Sequence, residues 1–174
     1  VELWVGQTFG LGAFRGWDGQ KPTLVEPVKT RTQRIISYGP LRTIVEVIDK
    51  GWKADAQKES VDMTLRYIQY AGHRDTDVEV MFNKDVSNYR FSTGIINVKN
   101  SEEFSDKKGL RACWGTDYPS TDTLKWKRET VGLALLIPQK NIVSEEPANK
   151  DNYAYIIKVR GNRMHYKANY TSAN

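Results

Sequence analysis

The stretch VDMTLRYIQYAGHRDTDVEVMF, residues 61–82, folds into a β-hairpin when Gly72 and His73 are set at the centre of a two-residue turn. Counting outward from that turn sets Tyr67 against Val78, Leu65 against Val80 and Met63 against Phe82. On the opposite face the same register sets Arg66 against Glu79, Ile68 against Asp77 and Thr64 against Met81. One face is apolar and the other mostly charged. Side chains alternate along a strand with a period of two, so this is the pattern of an antiparallel sheet with one buried face.

Working outward, alternation of the same kind predicts strands over residues 2–7, 34–38, 41–48 and 90–98, with Gly39-Pro40 turning the chain between the second and third. Residues 130–137 read as a continuous apolar strand with both faces covered. Residues 153–170 read as a second hairpin around Gly161-Asn162, with Val159 against Met164, Ile157 against Tyr166, Tyr155 against Ala168 and Tyr153 against Tyr170. Residues 9–19, 100–110, 115–123 and 139–152 read as loops. The first of these is glycine-rich, but no helix pattern follows it, so it lacks the context of a phosphate cradle. No segment holds a 3.6-residue period for more than two turns. The expectation is an all-β fold, an antiparallel β-sandwich, in a single domain over residues 1–174. Uneven loops argue against a closed barrel.

The bulk properties narrow the function. The 26 basic and 21 acidic residues leave a net charge of +5, but the basic residues are scattered and make no stripe for nucleic acid. No apolar run approaches the roughly 18 residues of a membrane-spanning helix. The single cysteine, Cys113, allows no internal disulfide and no thiolate zinc cluster, and reads as a small buried thiol. The two histidines are far apart, which gives no metal-ligand spacing, and no cofactor motif is present. The chain begins at Val1, which suggests an end made by processing or cleavage.

Four places could carry chemistry. His73 at the hairpin tip can serve as general base or acid, and Arg74 beside it can neutralise a carboxylate. The strand at residues 41–48 sends Arg42, Ile44, Glu46 and Ile48 to one side. There they join Asp62, Arg66, Asp77 and Glu79 as either a solvated charged face or a concave polar sheet for an oligosaccharide. Trp17-Asp18, and the segment from Trp114 to Tyr118, offer indoles for stacking on a pyranose and polar groups to anchor its hydroxyls. Tryptophans in such loops also plug the edges of cores. No nucleophile elbow is present, and Cys113 has no histidine near it in sequence.

The motifs Gly12-Ala13, Trp17-Asp18-Gly19, Tyr38-Gly39-Pro40-Leu41-Arg42, Gly51-Trp52, Val61-Asp62-Met63-Thr64, Tyr70-Ala71-Gly72-His73-Arg74 and Thr93-Gly94-Ile95 carry a resemblance. Together they resemble a bacterial domain-of-unknown-function family of polysaccharide-utilisation loci, some of whose members are dehydratases of ulvan oligosaccharides. The resemblance implies a mutarotase- or lyase-like supersandwich, of which this chain would be the C-terminal portion, with an N-terminal half of the same protein as partner. It also implies a periplasmic or secreted location. Carried over, the activity would eliminate water next to a uronic carboxylate, which requires a base, an acid and a cation. His73 suits the base, Tyr118 the acid, and Arg74 or Arg42 the cation, while Trp17, Asp18, Arg66 and Trp114 would bind the oligosaccharide substrate. A non-catalytic carbohydrate-binding module, or a structural half of a larger enzyme, would account for the same residues.

Overall fold

The computed structural model describes residues 5–119 and 123–173. They form two antiparallel sheets packed as a sandwich. The strands are β1 (Arg15–Trp17), β2 (Pro22–Thr23), β3 (Thr30–Tyr38), β4 (Arg42–Trp52), β5 (Val61–Tyr70), β6 (Asp75–Phe82) and β7 (Phe91–Ile96). They continue with β8 (Glu102–Ser105), β9 (Leu110–Asp117), β10 (Glu129–Leu136), β11 (Ile142–Glu145), β12 (Asn152–Ile157) and β13 (Arg163–Ala173). The smaller sheet runs β11-β12-β7-β1-β2, and the larger runs β3-β4-β5-β6-β13-β10-β9-β8.

The opening hairpin has the register expected of it, with Tyr67 on Val78, Leu65 on Val80, Met63 on Phe82, Arg66 on Glu79, Ile68 on Asp77 and Thr64 on Met81. Its turn differs by one residue. The His73 amide donates to the Tyr70 carbonyl, and Gly72 has φ +76°, so the turn centres on Ala71 and Gly72. Glycine therefore occupies the second central position, where a positive φ is required. The register survives because burial of Met63, Leu65, Val78, Val80 and Phe82 fixes it independently of the turn.

The second hairpin does not form. β12 pairs with β7 and β11 in the smaller sheet, and β13 pairs with β6 and β10 in the larger one. Gly161 and Asn162 make a corner at which the chain changes sheets. The corner is held by the Phe82 amide on the Asn162 carbonyl and the Val86 amide on the Gly161 carbonyl. Tyr153, Tyr155 and Ile157 thus meet Met164, Tyr166 and Ala168 within one shared core instead of side by side in one sheet.

Four expected loops contain strands. The glycine-rich segment holds β1, residues 100–110 hold the edge strand β8, and residues 139–152 hold a 3-10 turn (Gln139–Asn141) followed by β11. The irregular segment expected at 115–123 begins as strand, because β9 runs on to Asp117, and its residues 120–122 lie outside the described residues. Residues 5–7 are not in a strand, and residues 2–4 of that expected strand lie outside the described residues. β10 is covered fully on its inner face and only in part on its outer one, where Gly132 is buried beneath Trp114. Val131, Leu133 and Leu135 are buried, whereas Ala134 is half-buried and Leu136 exposed on the outer face.

With eight strands against five, the larger sheet extends past its partner, and β3 at its edge is exposed along nearly all its length. Arg31 and Arg34 on that strand discourage pairing with another chain. They are held by ion pairs to Asp49 and Glu46 of β4.

Candidate functional site

The outer face of the eight-stranded sheet brings together most of the residues expected to carry function. Cross-strand register lines up Arg34, Glu46, Arg66, Glu79 and His165 in one row from β3 to β13. Glu46 is 2% exposed and takes two partners: Arg66 donates to its Oε2 at 2.8 Å and Arg34 to its Oε1 at 2.8 Å. The Arg66 hydrogen bond, helped by Arg34, holds the Glu46 carboxyl below the usual carboxylate range against the opposing effect of burial. Arg66 also reaches Glu79 at 3.4 Å. The alternating charges make a ladder that lets a carboxylate be buried inside a sheet face.

The next row carries Ile44, Ile68, Asp77 and Lys167. Lys167 Nζ bridges Asp75 at 2.6 Å and Asp77 at 2.9 Å, and Asp75 in turn meets His73 Nδ1 at 3.2 Å. Lys167, and then His73, hold the Asp75 carboxyl below its usual range. His73 is exposed at the hairpin tip, with its ring 5.9 Å from that of Tyr70. Arg42 is the cross-strand partner of Tyr70, so Arg42, Tyr70, His73 and Asp75 belong to one end of the sheet. Arg74 turns the other way and donates to Thr171 Oγ1 at 2.7 Å.

That bond joins the tip to an open cleft of about 360 Å³ on the same face. The floor consists of small residues, Ala112 of β9 with Gly132 and Ala134 of β10, and the walls are Trp114 and Phe104. Glu102, Asn169 and Thr171 supply polar groups at its margin. Trp114 lies across from Gly132, which lies across from Thr171. A Cβ built on Gly132 would come within 2.7 Å of the Trp114 ring, so the absence of a side chain there is what seats the indole. Trp114 remains 45% exposed and Phe104 57% exposed. An apolar cleft with exposed aromatic walls and a few polar groups is a shape that accepts a sugar ring.

Further along β13 the same face opens into a cleft of about 410 Å³ lined by Arg66, Glu79, Lys140, Arg160, Arg163 and His165, among others. Trp17 and Asp18 lie apart from both clefts. They belong to β1 and its turn and line a separate cleft of about 410 Å³ with Lys53, Lys58 and Arg90. The Asp18 carboxylate accepts from the Gln20 and Lys21 amides at 2.8 Å each, so it stabilises its own turn, and those bonds lower its pKa.

Tyr118 follows β9 at the end of the sheet that also carries the hairpin tip. β13 and β10 intervene between β6 and β9, which separates Tyr118 from the tip by three strand spacings, about 14 Å. His73 and Tyr118 are therefore not gathered around one small group. Alternation does not reveal Phe104, Asn169 and Thr171 as lining residues, because β8 is short and exposed, and the hairpin expected over residues 153–170 pairs β13 with β12 instead of with β6 and β10. Among the described residues no three His, Cys, Asp or Glu side chains converge to hold a metal ion, and no helix is long and apolar enough to cross a membrane.

In comparison with known proteins, residues 2–174 fit the model of a family described as a domain of unknown function, DUF4861. No curated protein and no solved structure matches the chain.

Proposed function

The chain belongs to the DUF4861 family, and we propose that it is a carbohydrate-active protein that receives an acidic oligosaccharide on the outer face of its larger sheet. The observation that carries this reading is the seating of Trp114 on Gly132 beside Phe104, with Asn169 and Thr171 at the margin and Arg74 bonded to Thr171. An exposed indole favours the C–H face of a pyranose, amide and hydroxyl groups bind its hydroxyls, and a guanidinium suits a carboxylate. The resemblance of its short motifs supports a role in polysaccharide utilisation and a periplasmic or secreted location. Calorimetry with uronic oligosaccharides tests the reading. Binding that is abolished in Trp114→Ala and retained in Trp17→Ala is expected, and no binding to any acidic oligosaccharide would defeat it.

A second reading, elimination of water next to a uronic carboxylate, draws on the contact between His73 Nδ1 and Asp75. A carboxylate at that nitrogen orients an imidazole so that its other nitrogen can take a proton. Arg74 or Arg42 would hold the carboxylate. Mass spectrometry after incubation with unsaturated uronic oligosaccharides would reveal loss of one water, and the loss should disappear in His73→Ala while oligosaccharide binding persists.

A further inference from the structure

We infer that the cleft around Lys140, Arg160, Arg163 and His165 is an oxyanion-binding site, and that it takes a charged substituent of the same oligosaccharide, another ring of which lies against Trp114. Arg160 and Arg163 face one another across a β-bridge at the corner where the chain changes sheets. Like charges placed directly opposite one another are unfavourable, and an anion between them relieves the repulsion. Among the described residues neither arginine makes an ion pair, and Arg160 Nε donates to the Lys140 carbonyl at 3.1 Å.

Lys140 is presented by the 3-10 turn Gln139–Asn141, which is pinned by the buried Asn141. Asn141 donates to the Lys158 carbonyl at 2.9 Å, and its own carbonyl accepts from the Lys158 amide at 2.8 Å. Glu79, the acid in this cleft, is bonded to Arg66 and leaves the charge of Lys140, Arg160 and Arg163 uncompensated. Arginine pairs with carboxylate and sulfate oxygens through two parallel bonds, so the pair suits such a group.

Arg163, His165, Lys167, Asn169 and Thr171 alternate onto the outer face of β13. They connect the cationic cleft to the Trp114 cleft over about 20 Å from His165 to Thr171. A chain of several sugar rings lying along β13 would place an anionic group at one end and a stacked ring at the other. The identity of the carrier rests on the function proposed above; the anion site itself does not.

The two histidines make the test direct, since His165 is in the cleft and His73 is at the hairpin tip. Inorganic sulfate, titrated against chloride at constant ionic strength, should shift the His165 ring proton resonances saturably and leave those of His73 nearly still. The Arg160→Ala/Arg163→Ala double variant and Arg163→Glu should abolish the shift, and both change exposed residues. Equal response of the two histidines, or no saturation, would overturn the site. In the second arm, tetragalacturonate should bind the double variant about tenfold more weakly than the wild-type chain. Unchanged affinity, with no movement of His165, would overturn the inference and leave the oligosaccharide reading standing. A saturable sulfate response without oligosaccharide binding would retain the anion site and defeat that reading.

Discussion

Trp114 rests on Gly132, its partner in the neighbouring strand. A Cβ at Gly132 would lie 2.7 Å from the indole Cε3 and 2.8 Å from Thr171 Cγ2. Both Trp114 and Thr171 would have to move to admit one methyl group. Gly132→Ala should therefore lower oligosaccharide affinity, about tenfold by calorimetry. Its cost to stability should be only about 1–2 kcal/mol in urea unfolding, because the half-exposed indole can swing outward. An unchanged affinity would mean that the seat of Trp114 does not matter for binding.

Glu46 sits between Arg66 and Arg34 with its pKa lowered, and this sets a pH dependence. A carboxylate whose folded pKa lies below its unfolded value of about 4.3 stabilises the fold above that value. The contribution is then lost as pH falls through the lowered folded pKa. Glu46→Gln should cost about 1–3 kcal/mol at neutral pH. It should also flatten the decline of stability over the acid range. Urea titrations from neutral pH downward check both, and a parallel decline in wild type and variant would contradict the assignment.

How far the sequence could be read depends on what alternation encodes. It tells which side chains of a strand face the core, and for β5 and β6 a short turn between them then leaves one register. It does not tell which of two sheets a strand joins. β12 and β13 are joined through Gly161 and Asn162 and both place apolar residues inward, as a hairpin and a sandwich corner equally require. The site was less legible than the fold. β8 has four residues, three of them exposed, so its alternation is short and its Phe104 looks like a loop residue. Gly132 and Ala134 looked like part of a strand covered on both faces, whereas their small size opens the outer face beside Trp114. The charged row from Glu46 to Glu79 was legible, because it follows directly from the register.

Arg111 is a fully buried arginine that ties the two sheets together at their β8–β9 and β11–β12 ends. It pairs with Glu103 at 2.6 Å and donates to the Glu146 carbonyl at 2.9 Å and the Ala154 carbonyl at 2.8 Å. Its guanidinium also lies 5.3 Å from the Tyr153 ring centroid. Arg111→Ala would leave two carbonyls without this donor and a carboxylate without its cation, for about 3–5 kcal/mol. Arg111→Lys should recover little, since one ammonium cannot reproduce the planar fork. Glu103→Gln, at a partly exposed partner, should cost only about 1 kcal/mol in the same denaturation experiment. A mild Arg111→Ala would mean that the sheets are held without this tie.

Cys113 lies on the inner face of β9, and burial pushes its thiol up to about 11. Its Sγ is 3.5 Å from the Ile96 carbonyl oxygen, and Glu103 opposes it across the strand pair. Burial disfavours the thiolate, which is the reactive form, and restricts access by any reagent. Relative to an unfolded thiol near 8.5, the thiolate fraction at neutral pH falls by roughly two orders of magnitude. A thiol-specific reagent should therefore modify the native chain at least that much more slowly than the urea-unfolded chain. The native rate should climb as pH is raised toward 11. Native labelling as fast as that of the unfolded chain would show that β9 opens readily to solvent, and with it the floor beneath Trp114.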